Sequence, residues 1–362
     1  MRVLALLPDA FGGRGGIAKF NRDLLTALTQ HPAITQVTAL PRRIDEAAGA
    51  LPRGLDYRTF AARGKAAFAA AMLGELARAR RHDLVIAGHL NLLPLAAGVH
   101  LAGGGSLGLA IHGVEAWTPS ERPFVAPALR RMSWFLAVSE YTKERFLRWA
   151  PVSPAQGIVV PNTVDTTLFS PGPRRADLLA RYGLSGRTVV MTLARLDGRE
   201  RCKGIDEVME ALRLLPAAIA YLVCGDGTDR ARLEAKAAEL GLADRVRFAG
   251  YVAESEKQDH YRLSGCFVLA GWCEGFGIAL LEAQACGVPV VASTLDGSRE
   301  AVIDQAAAIV VDPRNPASLA AAIAAALARP GGVVPAGVDR FSFLAFERAL
   351  NQVISSEKSL TI

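Results

Sequence analysis

Cysteine is scarce in this sequence. The five residues, Cys202, Cys224, Cys266, Cys273 and Cys286, are odd in number and never stand in C-x-x-C spacing. That pattern argues against a zinc site and leads to the expectation of reduced thiols in a cytoplasmic protein. Asp-x-Asp occurs nowhere, so the usual acidic pair for clamping a divalent cation is missing and no metal is expected. Long hydrophobic runs are absent too. The most apolar window, residues 90–111, is interrupted by Asn91, Pro94, His100 and Gly103-Gly104-Gly105, which reads as a helix followed by a strand and excludes a membrane span. Met1-Arg2 leads straight into an apolar strand, so no secretory leader is expected. No repeat of solenoid period is present. Lysine is rare, seven residues against 34 arginines, so a lysine beside a ligand loop stands out.

What the chain does hold is enough for two domains: 362 residues, 51% hydrophobic and 21% charged, the balance of an ordinary globular protein. The net charge of +6 is unevenly placed. Residues 1–163 carry 19 Lys+Arg against 11 Asp+Glu, and residues 164–362 carry 22 against 24, giving +8 and −2. A basic first half fits an anionic partner, either an acidic acceptor or a peripheral anionic membrane surface. The charge is not clustered and aromatics do not interleave with it, so no nucleic acid is expected.

Both halves alternate apolar strands with helical patterns, which predicts an α/β protein with doubly wound parallel sheets. In the first half a strand at 3–7 runs into the glycine loop 12–16 and a helix from about 17 to 30. Further strands are expected at 36–40, 84–87, 108–112 and 134–138, with an Ala-rich helix at 64–81. Gly13-x-Gly15-x-x-Ala18 matches a dinucleotide fingerprint, and Arg42-Arg43 after the second strand leaves an NADP enzyme open. His112-Gly113 follows a strand and so sits at the ligand edge of the sheet. Ser139 reads first as a helix cap. Residues 151–173, rich in Pro, Thr, Ser and Asn, are the expected connection between domains.

The second half restarts at a strand, 187–193. Arg195 and a basic loop ending in Lys203-Gly204 follow it, so both cations lie at the strand-end edge where ligands bind. The stretch from 274 to 285, EGFGIALLEAQA, reads as a strand-to-helix turn. Gly275 and Gly277 permit a sharp turn and close backbone approach. The helix beginning near Gly277 would turn its unpaired N–H groups toward a phosphate. Glu274 and Glu282 would then flank a diphosphate, one suited to sugar hydroxyls and one to ribose hydroxyls. Phe341, Phe343, Phe346, Leu350 and Val353 or Ile354 form an apolar stripe on the last helix.

These elements together resemble the retaining glycosyltransferases of family 4, over nearly the whole chain. The resemblance rests on the loop 12–16, His112-Gly113, Val138-Ser139-Glu140, Pro161-Asn162, Val164-Asp165, Arg195 with Lys203-Gly204, Gly225-Asp226-Gly227, and the E-x7-E element from Glu274 to Glu282. It implies the GT-B fold, two Rossmann-like domains facing across a cleft. Residues 1–163 would form the acceptor side and 164–340 the nucleotide-sugar donor side, with 341–362 a helix returning to the first domain. It also implies a catalytic set of His112, Arg195, Lys203 and Glu274. Arg195 and Lys203 would hold the diphosphate and stabilise the leaving nucleotide. Glu274 would hold the donor sugar, Glu282 the ribose, and the N–H groups of Phe276, Gly277 and Ile278 the diphosphate. Gly15 and Gly16 would bring the first-domain loop to the phosphates, and His112 would bond the donor sugar or the leaving side of the reaction centre. The implied reaction moves a hexose with retention from a nucleoside-diphosphate sugar to a sugar or lipid-linked sugar acceptor, in polysaccharide or glycolipid synthesis. It would need no further cofactor and would run in the cytoplasm, at the inner face of a membrane if the basic half docks there. A nucleotide-sugar epimerase or hydrolase, and a non-catalytic sugar-nucleotide binder, are the other readings. Cys273 departs from the family pattern, which has a small polar residue before the first glutamate, and the basic loop 198–202 is longer than usual.

Overall fold

The computed structural model describes residues 1–304 and 308–360. The chain divides into two compact units, Met1–Thr163 with Phe343–Ile362, and Val164–Ser342.

Among the described residues the first unit carries a seven-stranded parallel sheet. Its strands are β1 (Arg2–Leu7), β2 (Gln36–Pro41), β3 (Leu55–Tyr57), β4 (Leu84–Ala87), β5 (Ser106–Ile111), β6 (Trp134–Ala137) and β7 (Gly157–Val159), in the order 3-2-1-4-5-6-7. The helices are α1 (Gly15–Gln30), α2 (Lys65–Ala77), α3 (Leu93–Leu101), α4 (Val125–Leu129) and α5 (Glu140–Leu147). Alternate strand residues supply one face: Leu4 and Leu6, Leu107 and Leu109 are buried with Phe68 and Met72 of α2 and Leu93 and Val99 of α3. This is the two-residue period of a strand meeting the helical period of its cover. Ser139 caps α5, accepting from the Thr142 N–H at 3.0 Å, as its position implies.

Two expectations need correction here. Residues 151–173, expected as the connection, do contain the boundary between the units, after Thr163, but they also supply Gly157–Val159, the outermost strand of the first sheet. The helix expected over 64–81 ends at Ala77 and gives way to a 3-10 turn, Ala79–Arg81.

The second unit repeats the plan with α6 (Ala176–Arg181), β8 (Thr188–Leu193), α7 (Ile205–Leu212), β9 (Ile219–Cys224), α8 (Arg230–Glu239), β10 (Val246–Gly250), α9 (Lys257–Leu263), β11 (Cys266–Leu269), α10 (Ile278–Ala285), β12 (Val290–Ser293), β13 (Ala308–Val311) and α11 (Pro316–Leu327). Its six parallel strands run in the order 10-9-8-11-12-13. Both sheets therefore share the 3-2-1-4-5-6 core order of a dinucleotide-type fold. The order reverses between β1 and β4 in the first sheet and between β8 and β11 in the second. The loops leaving those strands part to opposite sides, which opens a crevice at their C-terminal ends.

The last helix, α12 (Phe343–Leu360), belongs to the first unit. Phe346 meets Phe20 of α1 edge-on, ring centroids 5.3 Å apart, and Leu350 and Ile354 are fully buried. Phe341, counted with that stripe in the sequence, lies before the helix and packs instead in the second unit against Phe276, centroids 5.7 Å apart.

Candidate active site

In the second unit the reversal of strand order puts two loops side by side. One follows β8 and carries Arg195 to Gly204; the other follows β11 and carries Gly271 to Gly277. Their backbones touch. Trp272 N–H donates to the Cys202 carbonyl at 2.9 Å. A Cβ on Gly204 would meet the Ala270 oxygen at 2.0 Å, and one on Gly271 the Cys202 oxygen at 2.1 Å, so only glycine fits either place.

That apposition brings Lys203 to Glu274, Nζ to Oε2 at 3.0 Å. Burial disfavours the ammonium, but the Glu274 carboxylate more than offsets this and holds the Lys203 pKa above its ordinary value. Arg195 lies at the edge of the same concavity, is 63% exposed, and pairs with Glu200 at 2.7 Å. The two cations thus line one depression, one fixed and one exposed.

Glu274 itself is positioned from behind. Its backbone N–H donates to Oδ2 of Asp296 at 2.9 Å, while Oδ1 of Asp296 accepts from Ser298 N–H at 3.0 Å. Asp296 is fully buried, and burial pushes its pKa up to about 6 against the bonds it accepts. Gly277, in the left-handed region at φ 97°, is the N-cap residue just before α10. Phe276, Gly277 and Ile278 therefore head a helix, where N–H groups lack intrahelical partners and the dipole favours an anion.

Glu282 sits on α10 but has partners of its own. It is 2% exposed, accepts from the Tyr261 hydroxyl at 2.7 Å, and lies 3.7 Å from the Lys257 ammonium. The sequence reading missed Asp296, Tyr261 and Lys257. An Asp-Gly before a 3-10 turn was the available signal for Asp296, since an aspartate there reads as a cap. It also missed a covalent link: Cys202 and Cys273 form a disulfide, Cα atoms 5.6 Å apart. The expectation of reduced thiols is corrected for this pair. Close Cys spacing along the chain is the usual cue, and these residues are 71 apart, brought together by the adjacency of β8 and β11. Cys224, Cys266 and Cys286 are free and buried.

The remaining candidates lie in the first unit. Gly15 and Gly16 form the first turn of α1, and Gly15, at φ 84°, faces open space where a Cβ would stand. His112 follows β5. Its Nε2–H donates to the Gly88 carbonyl at 2.9 Å, its backbone N–H donates to Glu115 at 2.6 Å, and Phe20 packs edge-on at 5.1 Å. His89 stands nearby, ring centroids 6.2 Å apart, with its pKa lowered to about 4 chiefly by burial, so it is neutral at physiological pH. A cavity of about 360 Å³ opens beside His89, between Arg42 and Arg122, with Phe68, Leu92 and Leu95 as apolar walls. Arg42 stacks on Phe68, and Arg43 pairs with Asp9 and Asp45, each at 3.2 Å. Among the described residues no helix is long and apolar enough to cross a membrane.

Two family models match the chain: Glycosyltransferase Family 4 over residues 14–168 and Glycosyl transferases group 1 over residues 180–332. The GDP-mannose-dependent alpha-(1-6)-phosphatidylinositol monomannoside mannosyltransferase of Mycolicibacterium smegmatis is 35% identical over 66% of this chain and 65% of its own length. The D-inositol 3-phosphate glycosyltransferase of Geodermatophilus obscurus is 36% identical over 56% of this chain and 47% of its own length. The chain thus matches under two thirds of the length of these relatives. Among solved structures, Anabaena HepE in complex with UDP and glucose aligns at TM-score 0.77, 20% identical, over 98% of this chain and 99% of that one. Sucrose-phosphate synthase of Thermosynechococcus elongatus aligns at 0.75, 21% identical, over 99% of each chain. These likenesses establish the fold, the pair of parallel-sheet α/β domains expected of GT-B.

Proposed function

Because the chain belongs to the family 4 glycosyltransferases, we propose that it transfers a hexose with retention from a nucleoside-diphosphate sugar to a hydroxyl of a sugar or lipid-linked sugar acceptor. One observation carries this reading: Lys203 and Glu274 meet at the head of α10, where the strand order of the second sheet reverses. A cation, a row of helix N–H groups and a hydroxyl-binding carboxylate are what a sugar diphosphate requires. In the proposed step the anomeric C–O bond to the diphosphate breaks and the acceptor oxygen bonds to the same face. The acceptor's proton passes to a phosphate oxygen. Lys203, Arg195 and the N–H groups of Phe276, Gly277 and Ile278 stabilise the charge growing on the leaving diphosphate. Glu274 orients the sugar and Glu282 takes the ribose. No resident metal is proposed, since these groups neutralise the diphosphate themselves.

The donor base is proposed as guanine on the strength of relatives named as GDP-mannose-dependent. The cavity flanked by Arg42 and Arg122 supports an acceptor with an anionic group and an apolar portion. Phe60 and Leu73 are exposed, with the exposed Arg63 and Lys65 between them in the sequence, and these residues support peripheral contact with an anionic lipid surface. Such contact should weaken as salt rises, and vesicle binding indifferent to salt would exclude it.

The decisive test is release of nucleoside diphosphate from GDP-mannose, UDP-glucose and ADP-glucose without acceptor, with and without EDTA. One donor should be turned over, equally in both conditions. Glu274→Ala should lower that turnover by about tenfold or more, ~1.4 kcal/mol of barrier, with the fold intact by circular dichroism. Wild-type rates in that variant would remove Glu274 from the mechanism, and no turnover or binding of any of the three would remove the proposal.

A further inference from the structure

The disulfide lies inside the site just described. Cys202 immediately precedes Lys203 and Cys273 immediately precedes Glu274, so the covalent bond and the ion pair are successive rungs between the same two loops. We propose that Cys202–Cys273 is a thiol–disulfide modification site that governs the order of the loop 197–203, and through it the affinity for a nucleoside diphosphate. The second half of this statement rests on the donor-binding role proposed for Lys203.

Three observations carry it. The first is what else holds the loop. Arg195–Glu200, Arg199–Asp197 and Arg201–Asp229 are ion pairs whose arginines are 58–90% exposed, and exposed pairs contribute little. Beyond them, among the described residues, the loop has a turn of its own, with Glu200 N–H donating to the Asp197 carbonyl at 2.9 Å and Arg199 N–H to Asp197 Oδ1 at 3.0 Å, a bond from Gly198 N–H to Thr228 and, at its end, the Lys203–Glu274 pair and the bond from Trp272 N–H to the Cys202 carbonyl. The disulfide is the strong anchor of that end. The second is selectivity. Cys224, Cys266 and Cys286 are buried, and burial raises their thiol pKa values, that of Cys286 to about 12. They are poor partners for exchange. Cys202 is half-buried and Cys273 buried, so Cys202 is the more accessible of the two bonded residues. The third is the close approach of Gly204 to Ala270 and of Gly271 to Cys202: the two backbones meet beside the bond with no side chain between them, so the two sulfurs can come together again once the loop orders.

The chemistry needs a dithiol, protein or small molecule. One of its thiolates attacks Sγ of Cys202, the S–S bond breaks, and Cys273 leaves as a thiolate that takes up a proton. The second thiol of the reagent then displaces Cys202 from the mixed disulfide. Two electrons pass to the chain and the reagent ends as its own disulfide. The oxidised chain holds Lys203 at Glu274; the reduced chain must order the loop on binding and binds more weakly.

The test uses the full chain equilibrated with oxidised or reduced dithiothreitol. In the oxidised form, alkylation with iodoacetamide should leave Cys202 and Cys273 unlabelled, and reduction should add labels at these two positions. Trypsin should cut after Arg199 and Arg201 about tenfold faster in the reduced form. GDP and UDP, each titrated, should show one ligand bound about tenfold more weakly after reduction. Cys202→Ser should behave as the reduced chain in either buffer. Labelling of both thiols without reductant, or cleavage rates that match in the two forms, would overturn the proposal. Redox-dependent cleavage without binding of either nucleotide would uphold the modification site and overturn the donor reading instead.

Discussion

At Asp296 one carboxylate accepts two backbone N–H groups, from Glu274 and from Ser298. Its pKa stands near 6 rather than 3.8 because burial outweighs those two bonds and the Glu274 charge adds to the upward push. The sign of the linkage follows. Between about pH 4 and 6 the folded chain keeps a proton that the unfolded chain has lost. Asp296 therefore favours the fold at the acid end of that window, and its contribution falls by up to about 3 kcal/mol as pH rises through it. For turnover the direction is opposite, since the ionised carboxylate is the better acceptor for the Glu274 N–H. Turnover should fall below about pH 6, and Asp296→Asn should flatten that limb while leaving the donor KM nearly unchanged. An acid limb identical in the variant would assign the titration to another group. The sequence could single out Lys203 and Glu274 because each sits beside a glycine at the end of an apolar strand. For Asp296 the Asp-Gly pair signals a cap at Ser298, but the second bond, to the Glu274 N–H 22 residues away, leaves no trace in residue type.

At the scale of elements, the loop after β8 and the head of α7 are shaped by close approach. Gly204 has φ 81° and its α-carbon faces the Ala270 carbonyl, where a Cβ would lie at 2.0 Å. Gly241, after α8, has φ 69° with open space around it. The two positions separate conformational cost from steric cost. Gly241→Ala should cost about 1 kcal/mol from the left-handed conformation alone. Gly204→Ala adds displacement of the backbone at β11 and should cost about 3 kcal/mol, read as urea midpoints, with nucleotide affinity lost as well. Equal costs would mean that the loops part without penalty. Strands such as β1 and β8 were legible as apolar runs because parallel strands are buried on both faces. β3 and β7, three residues each, are too short to show any period, and β7 was hidden among Pro and Ser residues that read as connection. The disulfide was illegible for a related reason: its two cysteines meet only because β11 lies beside β8, a neighbour relation that the chain order does not contain.

At the scale of the whole molecule, the two units are closed in different ways. The first is completed by a distant segment of the chain, as α12 brings Phe346, Leu350 and Ile354 to a core formed by residues before Thr163. The second is continuous, and its covalent closure is Cys202–Cys273, across 71 residues. A cross-link of that span removes loop entropy from the unfolded second unit worth about 4 kcal/mol on the chain-entropy account. The first unit contains no cysteine, so reduction should leave it untouched. Calorimetry of the full chain should therefore show a transition that moves down on the order of 10 °C with reductant, since a unit of this size shifts by roughly 2–4 °C per kcal/mol. Any separate transition belonging to the first unit should stay in place. Cys202→Ser should show the lowered value without reductant and no further response to it. If reduction moves the whole unfolding profile together, the two units unfold as one cooperative body. If it moves nothing, the cross-link does not restrict the unfolded chain, and the apposed glycine backbones alone hold the loops of the second unit together.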